Sequence, residues 1–146
     1  MKLAAAWLGK TKHPGTRAWT EEYLQRLAGF ARWATVTGAE LAGREPQKAL
    51  LQRARGARLW LCDPAGRSFT SPAFALFLQR EAATAGTREI VIAIGGADGF
   101  SAEVGSAAAG RLSLGTLTFS HELARVVLLE QLYRALAIIS HHPYPH

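Results

Sequence analysis

Two rhythms of apolar and polar positions alternate along the chain, and each switch between them marks an element boundary. Residues 2–8 (K-L-A-A-A-W-L) form a short, almost continuous apolar run, the pattern of a buried strand. Residues 9–16 break that run with Gly9, Lys10, Lys12, His13 and Pro14 and read as a loop. From Ala18 the period lengthens. Trp19, Tyr23 and Leu27 recur at i, i+4 and i+8, one face of a helix. Residues 30–41 alternate through Trp33, Thr35 and Thr37 as a second strand. Pro46 opens a short helix carrying Ala49, Leu50 and Leu51. Residues 58–62 (R-L-W-L-C) read as a third strand, closed by an Asp63-Pro64-Ala65-Gly66 turn. Ser71 as N-cap and Pro72 at the first helical position start a helix with Phe74, Leu76, Phe77 and Leu78 on its apolar face. Gly86 ends it. Residues 89–94 (E-I-V-I-A-I) are the clearest strand, apolar on both faces as a central parallel strand must be. Ser101 caps a short helix, residues 111–114 suit a last strand, and a long helix runs from Ser120 to near Ser140.

Strands alternate with helices from end to end, and the connections are short. This order predicts one α/β domain spanning residues 1–146, a mostly parallel sheet with helices on its faces. The last helix carries apolar residues around more than the ~100° arc of a one-faced helix. Such a helix is either central in its own domain or shared with a second subunit, and in a chain of 146 residues we expect a homodimer packing partly through it.

Charge adds a partner. The 17 Lys+Arg against 11 Asp+Glu leave a formal charge of +6, and 13 of the 17 cations are arginine. Arginine pairs with phosphate in bidentate geometry and stacks on bases, which leans toward nucleic acid. Arginine enrichment through codon bias, in a chain also rich in Ala and Gly, remains the alternative at this level. The one cysteine, Cys62, forbids an internal disulfide and fits a reducing cytosol, so a cytoplasmic location is expected. No His/Cys cluster has zinc spacing, and no apolar stretch approaches the ~20 residues of a membrane span.

Ligands of open α/β sheets bind beyond the carboxyl ends of the strands. Three segments leave strands at such ends: residues 62–66, 95–99 and 114–119. Gly-Gly-x-x-Gly after the fourth strand is not the dinucleotide fingerprint, and by itself it suits tight turns equally well. No phosphate-binding P-loop motif is present. Asp63 and Asp98, the two aspartates, sit where turn formers sit. His121 follows Ser120 at the start of the last helix, whereas His141, His142 and His146 gather beyond its end with Tyr144. The tail reads either as a frayed terminus or as a flap that contacts RNA through ring stacking.

Taken together, the Cys-Asp-x-x-Gly turn at 62–66, I-G-G-x-x-G at 94–99, L-S-L-x-x-L-T-F at 112–119, H-x-L-A-R-V-x-L-L-E-Q-L-Y-R-A at 121–135 and H-P-Y at 142–144 resemble, in order and over essentially the whole chain, the ribosomal RNA large-subunit methyltransferase H family, a single-domain branch of the SPOUT methyltransferases. The resemblance implies a Rossmann-like fold with a C-terminal trefoil knot. It also implies S-adenosylmethionine as cofactor and methylation of N3 of a pseudouridine in large-subunit ribosomal RNA, by a homodimer acting on the ribosome. Carried over by position, Cys62, Gly95, Leu114, Gly115, Thr116, Leu117, Thr118 and Phe119 would hold the cofactor. Arg125, Arg134, His142, Tyr144 and His146 would meet the RNA. No residue declares itself as the base for the N3 proton; His121 and His142 are the candidates. Three positions depart from the family pattern: Cys62 stands for a leucine, Ser120 for a proline and Pro145 for a histidine. A nucleotide-binding α/β module and a ribosome-binding factor without catalysis are the competing readings.

Overall fold

The computed structural model describes residues 1–144; Pro145 and His146 lie outside the described residues. Among the described residues, five strands alternate with five helices: β1 (Lys2–Leu8), α1 (Pro14–Ala28), β2 (Thr35–Leu41), α2 (Pro46–Arg53), β3 (Arg58–Ser68), α3 (Ser71–Ala83), β4 (Ile90–Ile94), α4 (Ala102–Ala107), β5 (Gly110–Ser113) and α5 (His121–Ile139). The strands form one sheet in the order β2-β1-β4-β3-β5. Every neighbouring pair is parallel. The expected α/β class and the central place of β4 are both observed.

Strand alternation sorts the core into two halves. Leu3, Ala5 and Trp7 of β1 and Ile90, Ile92 and Ile94 of β4 pack with α1, α3 and α5 on one face. Ala4, Ala6, Leu8, Val91 and Ala93 point the other way, to Leu50 of α2 and Val104 of α4. The small alanines of β1, which weaken its strand propensity, let the helices approach on both sides. Helix α5 packs between α1 and α3 and touches β1 and β4. Its broad apolar surface is therefore satisfied mainly inside the chain, with Leu123 and Ile138 left exposed. Of the two readings of this helix, the central position describes most of it.

Boundaries shift where capping chemistry was read as loop. Helix α1 starts at Pro14, a turn before Ala18, because the His13 ring accepts the Gly15 amide proton at 3.1 Å and Pro14 fits the first turn. Thr70, not Ser71, caps α3, accepting from the Ala73 amide at 3.2 Å; the Ser71 hydroxyl instead bonds Gln131 of α5 at 3.0 Å. Strand β2 begins at Thr35, since residues 30–34 extend α1 as turns, with Phe30 bonding back to Leu27. Strand β3 does not end at Cys62. It continues past a bulge to Ser68 and pairs again with β5 through Arg67 and Ser68. Gly66 makes that return possible, because a Cβ there would lie 2.7 Å from the Arg111 backbone.

Edge strand β2 carries Glu40, which accepts from Trp7 Nε1 at 3.1 Å, from the Thr11 amide at 3.0 Å and from the Thr11 hydroxyl. These bonds, the Thr11 hydroxyl first, hold its carboxyl below the ordinary value. A carboxyl whose folded pKa is depressed contributes stability that is present above the unfolded value, about 4.3, and is lost as pH falls through the folded one. The stability difference between wild type and Glu40→Gln, read from urea unfolding across that window, is expected to shrink as pH falls. A difference constant with pH would contradict the assignment.

Candidate active site

The carboxyl ends of β4 and β5, together with the bulge in β3 after Cys62, open onto a cleft of about 460 Å³. Its walls come from all three segments singled out in the sequence: Cys62, Asp63 and Pro64; Gly95, Gly96 and Gly99; Leu114, Gly115, Leu117, Thr118 and Phe119. His121 and Ala124, from the first turn of α5, close one side. Thr116, expected among these residues, is exposed and outside the cleft wall.

Local geometry explains each wall. The segment at 114–119 turns through Gly115 at φ +143°, a conformation that L side chains rarely adopt. The buried Ser113 hydroxyl clamps this turn, accepting from the Gly115 amide at 3.0 Å and donating to its carbonyl at 2.7 Å. Ser120 then caps α5, accepting from the Leu123 amide at 3.2 Å. Serine, where the resemblance implies a proline, thus serves the helix start. Leu117 is left 75% exposed at the cleft. Burial pushes the Cys62 thiol well above its ordinary value, so it acts as a small wall residue, not as a nucleophile. Asp63 spends one oxygen on the Ala65 amide at 2.8 Å and the other on Arg111 at 2.9 Å, which confirms it as a turn former.

Sequence reasoning missed Gln47. Its side-chain amide donates to the Gly99 carbonyl and accepts from the Ser101 amide, both at 3.0 Å, and so ties the glycine loop to α2. The two partners stand 52 and 54 residues away, and no local pattern signals them. Replacing Gln47 by alanine is expected to speed hydrogen exchange at the Ser101 amide about tenfold, the value of one hydrogen bond. Unchanged exchange would mean that the loop holds itself.

The residues expected to meet RNA divide. Arg134 pairs with Glu130 at 2.6 Å and lies over the Tyr144 ring at 4.7 Å. Tyr144 packs on Tyr133, and its hydroxyl pKa is pushed up to about 12, by burial first and then by Tyr23 and Glu130. His142 meets the Phe30 ring edge-on at 5.6 Å. These three residues line a second groove, beside Pro72. The tail is not frayed up to Tyr144. His141 sits at φ 56°, and the His141 and His142 amides bond back to Ile138 and Ala137, a Schellman closure of α5.

Arg125 is different. It is 1% exposed, with Nη1 on the Thr11 hydroxyl at 2.9 Å and Nη2 at 3.3 Å from the carbonyls of both Leu8 and Gly9. Desolvation lowers its pKa. A guanidinium spent on the interior has no face for phosphate, so the expected RNA contact at this position is corrected to a structural role. His146 lies outside the described residues. His121 and His142 stand at opposite ends of a 19-residue helix, about 28 Å apart along its axis. Within one chain they cannot share a substrate atom.

The family described as "Predicted SPOUT methyltransferase" matches residues 1–146. The chain belongs to the SPOUT methyltransferase family. Relatives named "Ribosomal RNA large subunit methyltransferase H" match it along nearly their whole length. The relative from Koribacter versatilis is 41% identical over 146 residues, covering 99% of this chain and 97% of its own. That from Geobacter sulfurreducens is 40% identical over 154 residues, covering both chains fully. That from Trichlorobacter lovleyi is 38% identical over 154 residues, again with full coverage of both. Among the described residues of this SPOUT methyltransferase, no cluster of three or more His, Cys, Asp or Glu side chains suits a metal. Among the described residues, no helix is long and apolar enough to cross a membrane.

Proposed function

We propose that the chain transfers a methyl group from S-adenosylmethionine to N3 of a pseudouridine in large-subunit ribosomal RNA, acting on the ribosome in the cytoplasm as a homodimer. The observation that carries this reading is the cleft formed by the bulge of β3 and the ends of β4 and β5, whose walls suit the cofactor. Backbone at Gly95, Gly96 and Gly115 is free of side chains, and Ile94, Leu114, Leu117 and Phe119 supply apolar surface. A purine between apolar walls is held by backbone donors and acceptors, and the volume is that of a small-molecule site. Bound there, the cofactor supplies a methyl group already activated on a sulfonium.

The chain's own residues then orient and exclude water. Leu117 and Phe119 close over the cleft. His121 lines the cleft, and on this reading it is the candidate to accept the N3 proton. His121→Ala should lower the turnover rate and change its pH profile; full methylation by both His121→Ala and His142→Ala would remove these two histidines from this role. A homodimer reconciles the two ends of α5, because a second copy can bring its His142 and Tyr144 to the cleft of the first. Exposed Trp19, Trp33 and Ile138 are apolar surface available for such an interface. Sedimentation at micromolar concentration should return twice the 15.8 kDa chain mass; a monomer mass would sink the dimer. On the same reading, the C-terminal third is the knotted part of the chain, as the family resemblance implies.

The test is direct. Purified chain, labelled S-adenosylmethionine and ribosomes from a strain lacking this protein are combined, and label is sought in the large-subunit RNA. By calorimetry S-adenosylmethionine should bind, whereas NAD and ATP should not. Binding without transfer would favour a non-catalytic ribosome factor. Pro145, which motivates that alternative, lies outside the described residues.

A further inference from the structure

The loop at residues 9–13, between β1 and α1, is held by four charged side chains that leave its lysines free. Arg125 grips the Leu8 and Gly9 carbonyls and the Thr11 hydroxyl. Glu122 accepts from the Lys12 amide at 3.0 Å and the His13 amide at 3.1 Å. Arg17 donates to the Thr11 carbonyl at 2.9 Å, and Glu40 accepts from the Thr11 amide and hydroxyl. Two cations and two anions balance one another. Lys10 and Lys12 remain, both exposed, flanking a Thr11 that is only 4% exposed. Among the described residues neither lysine has an ion-pair partner.

Two connections tie the loop to the cleft wall. Leu8, at the end of β1, lies against Gly96 of the cleft wall; a Cβ on Gly96 would be 3.4 Å from the Leu8 carbonyl. Glu122, which holds the loop's amides, is the next residue after His121 of the wall. A surface lysine pair is ordinarily mobile and weakly directive. Here the backbone beneath it is fixed by a buried arginine, an arrangement that lowers the ordering cost of binding.

We propose that Lys10 and Lys12 form a preorganised platform for the phosphate backbone of the substrate RNA, next to the mouth of the cleft. This rests on the reading of the cleft as the methyl-transfer site. Phosphate contacts position a nucleic acid without reading its sequence, and they release counterions. The platform therefore supplies orientation and salt-dependent affinity, while the cleft selects the base.

The experiment uses the full chain and ribosomes from a strain lacking this protein, with binding followed by co-sedimentation over a series of salt concentrations. Lys10→Ala/Lys12→Ala should weaken ribosome binding about tenfold at low salt and flatten the slope of log affinity against log salt by about 1 to 2, the loss of two phosphate contacts. Lys10→Arg/Lys12→Arg should restore both. Thermal melting and S-adenosylmethionine affinity should match wild type, which shows that the fold and the cleft are intact. Wild-type affinity and slope in the alanine variant would overturn the proposal. So would weakened binding with an unchanged slope, which points to an uncharged contact. The binding readout is separate from methylation. A wild-type chain that binds ribosomes without methylating them defeats the functional reading, while the lysine pair is still judged on its salt slope.

Discussion

Arg125→Ala is expected to lower the folding free energy by about 3 kcal/mol and the melting temperature by roughly 10 °C, from the usual shift of a few degrees per kcal/mol. The substitution leaves the Leu8 and Gly9 carbonyls and the Thr11 hydroxyl without their buried donor. An unsatisfied buried polar group costs about 1–3 kcal/mol. Two effects limit the total. The buried cation itself is expensive to desolvate, and its Nε has no partner, so removing it recovers part of the loss. Water can also enter the vacated space. The shape that Arg125 fills beside the Trp7 ring, at 5.8 Å, is lost as well. Arg26 makes a useful contrast: it is exposed and paired with Glu22 one turn away, so the melting temperature of Arg26→Ala should match wild type. A melting temperature for Arg125→Ala within about 2 °C of wild type would remove this arginine from the structural role assigned to it.

Leu117→Ala separates binding from folding. At 75% exposure the side chain contributes little to the free chain, so melting should be unchanged. If the cleft holds S-adenosylmethionine, Leu117 is buried on binding. Burying a leucine side chain fully is worth about 1.5–3 kcal/mol, of which alanine keeps a part. The dissociation constant measured by calorimetry should therefore rise about tenfold, the equivalent of about 1.4 kcal/mol. Thr116→Ala, one residue away and outside the cleft wall, should leave it unchanged. Equal affinity for wild type and Leu117→Ala would place the cofactor elsewhere.

Much of the frame was legible because periodicity and capping report it directly. The β-branched run of β4 announced a strand covered on both faces, and it is the middle strand of the sheet. Glycine and small polar residues after strands marked the three walls of the cleft, because ligand approach and tight turns ask for the same residues. What escaped depends on contacts between distant segments. Asp63-Pro64 looks like a strand end, yet β3 recovers beyond it because Gly66 lets the chain press against β5. Gln47 has no local signature at all. Arg125 did leave a trace: it shares a helical face with Leu128, Leu129, Leu132 and Leu136, all buried. The charge pointed to the surface and the spacing pointed inward, and the spacing was right. The separation of His121 from His142 follows from helix length alone, but the folding of the tail onto Tyr133 does not.

The most direct test of the central claim is mass spectrometry of large-subunit ribosomal RNA from cells with and without this protein. The expected result is a single pseudouridine that loses one methyl group in its absence and regains it when purified chain and S-adenosylmethionine are added to the isolated ribosomes. An identical modification map in both strains would contradict it.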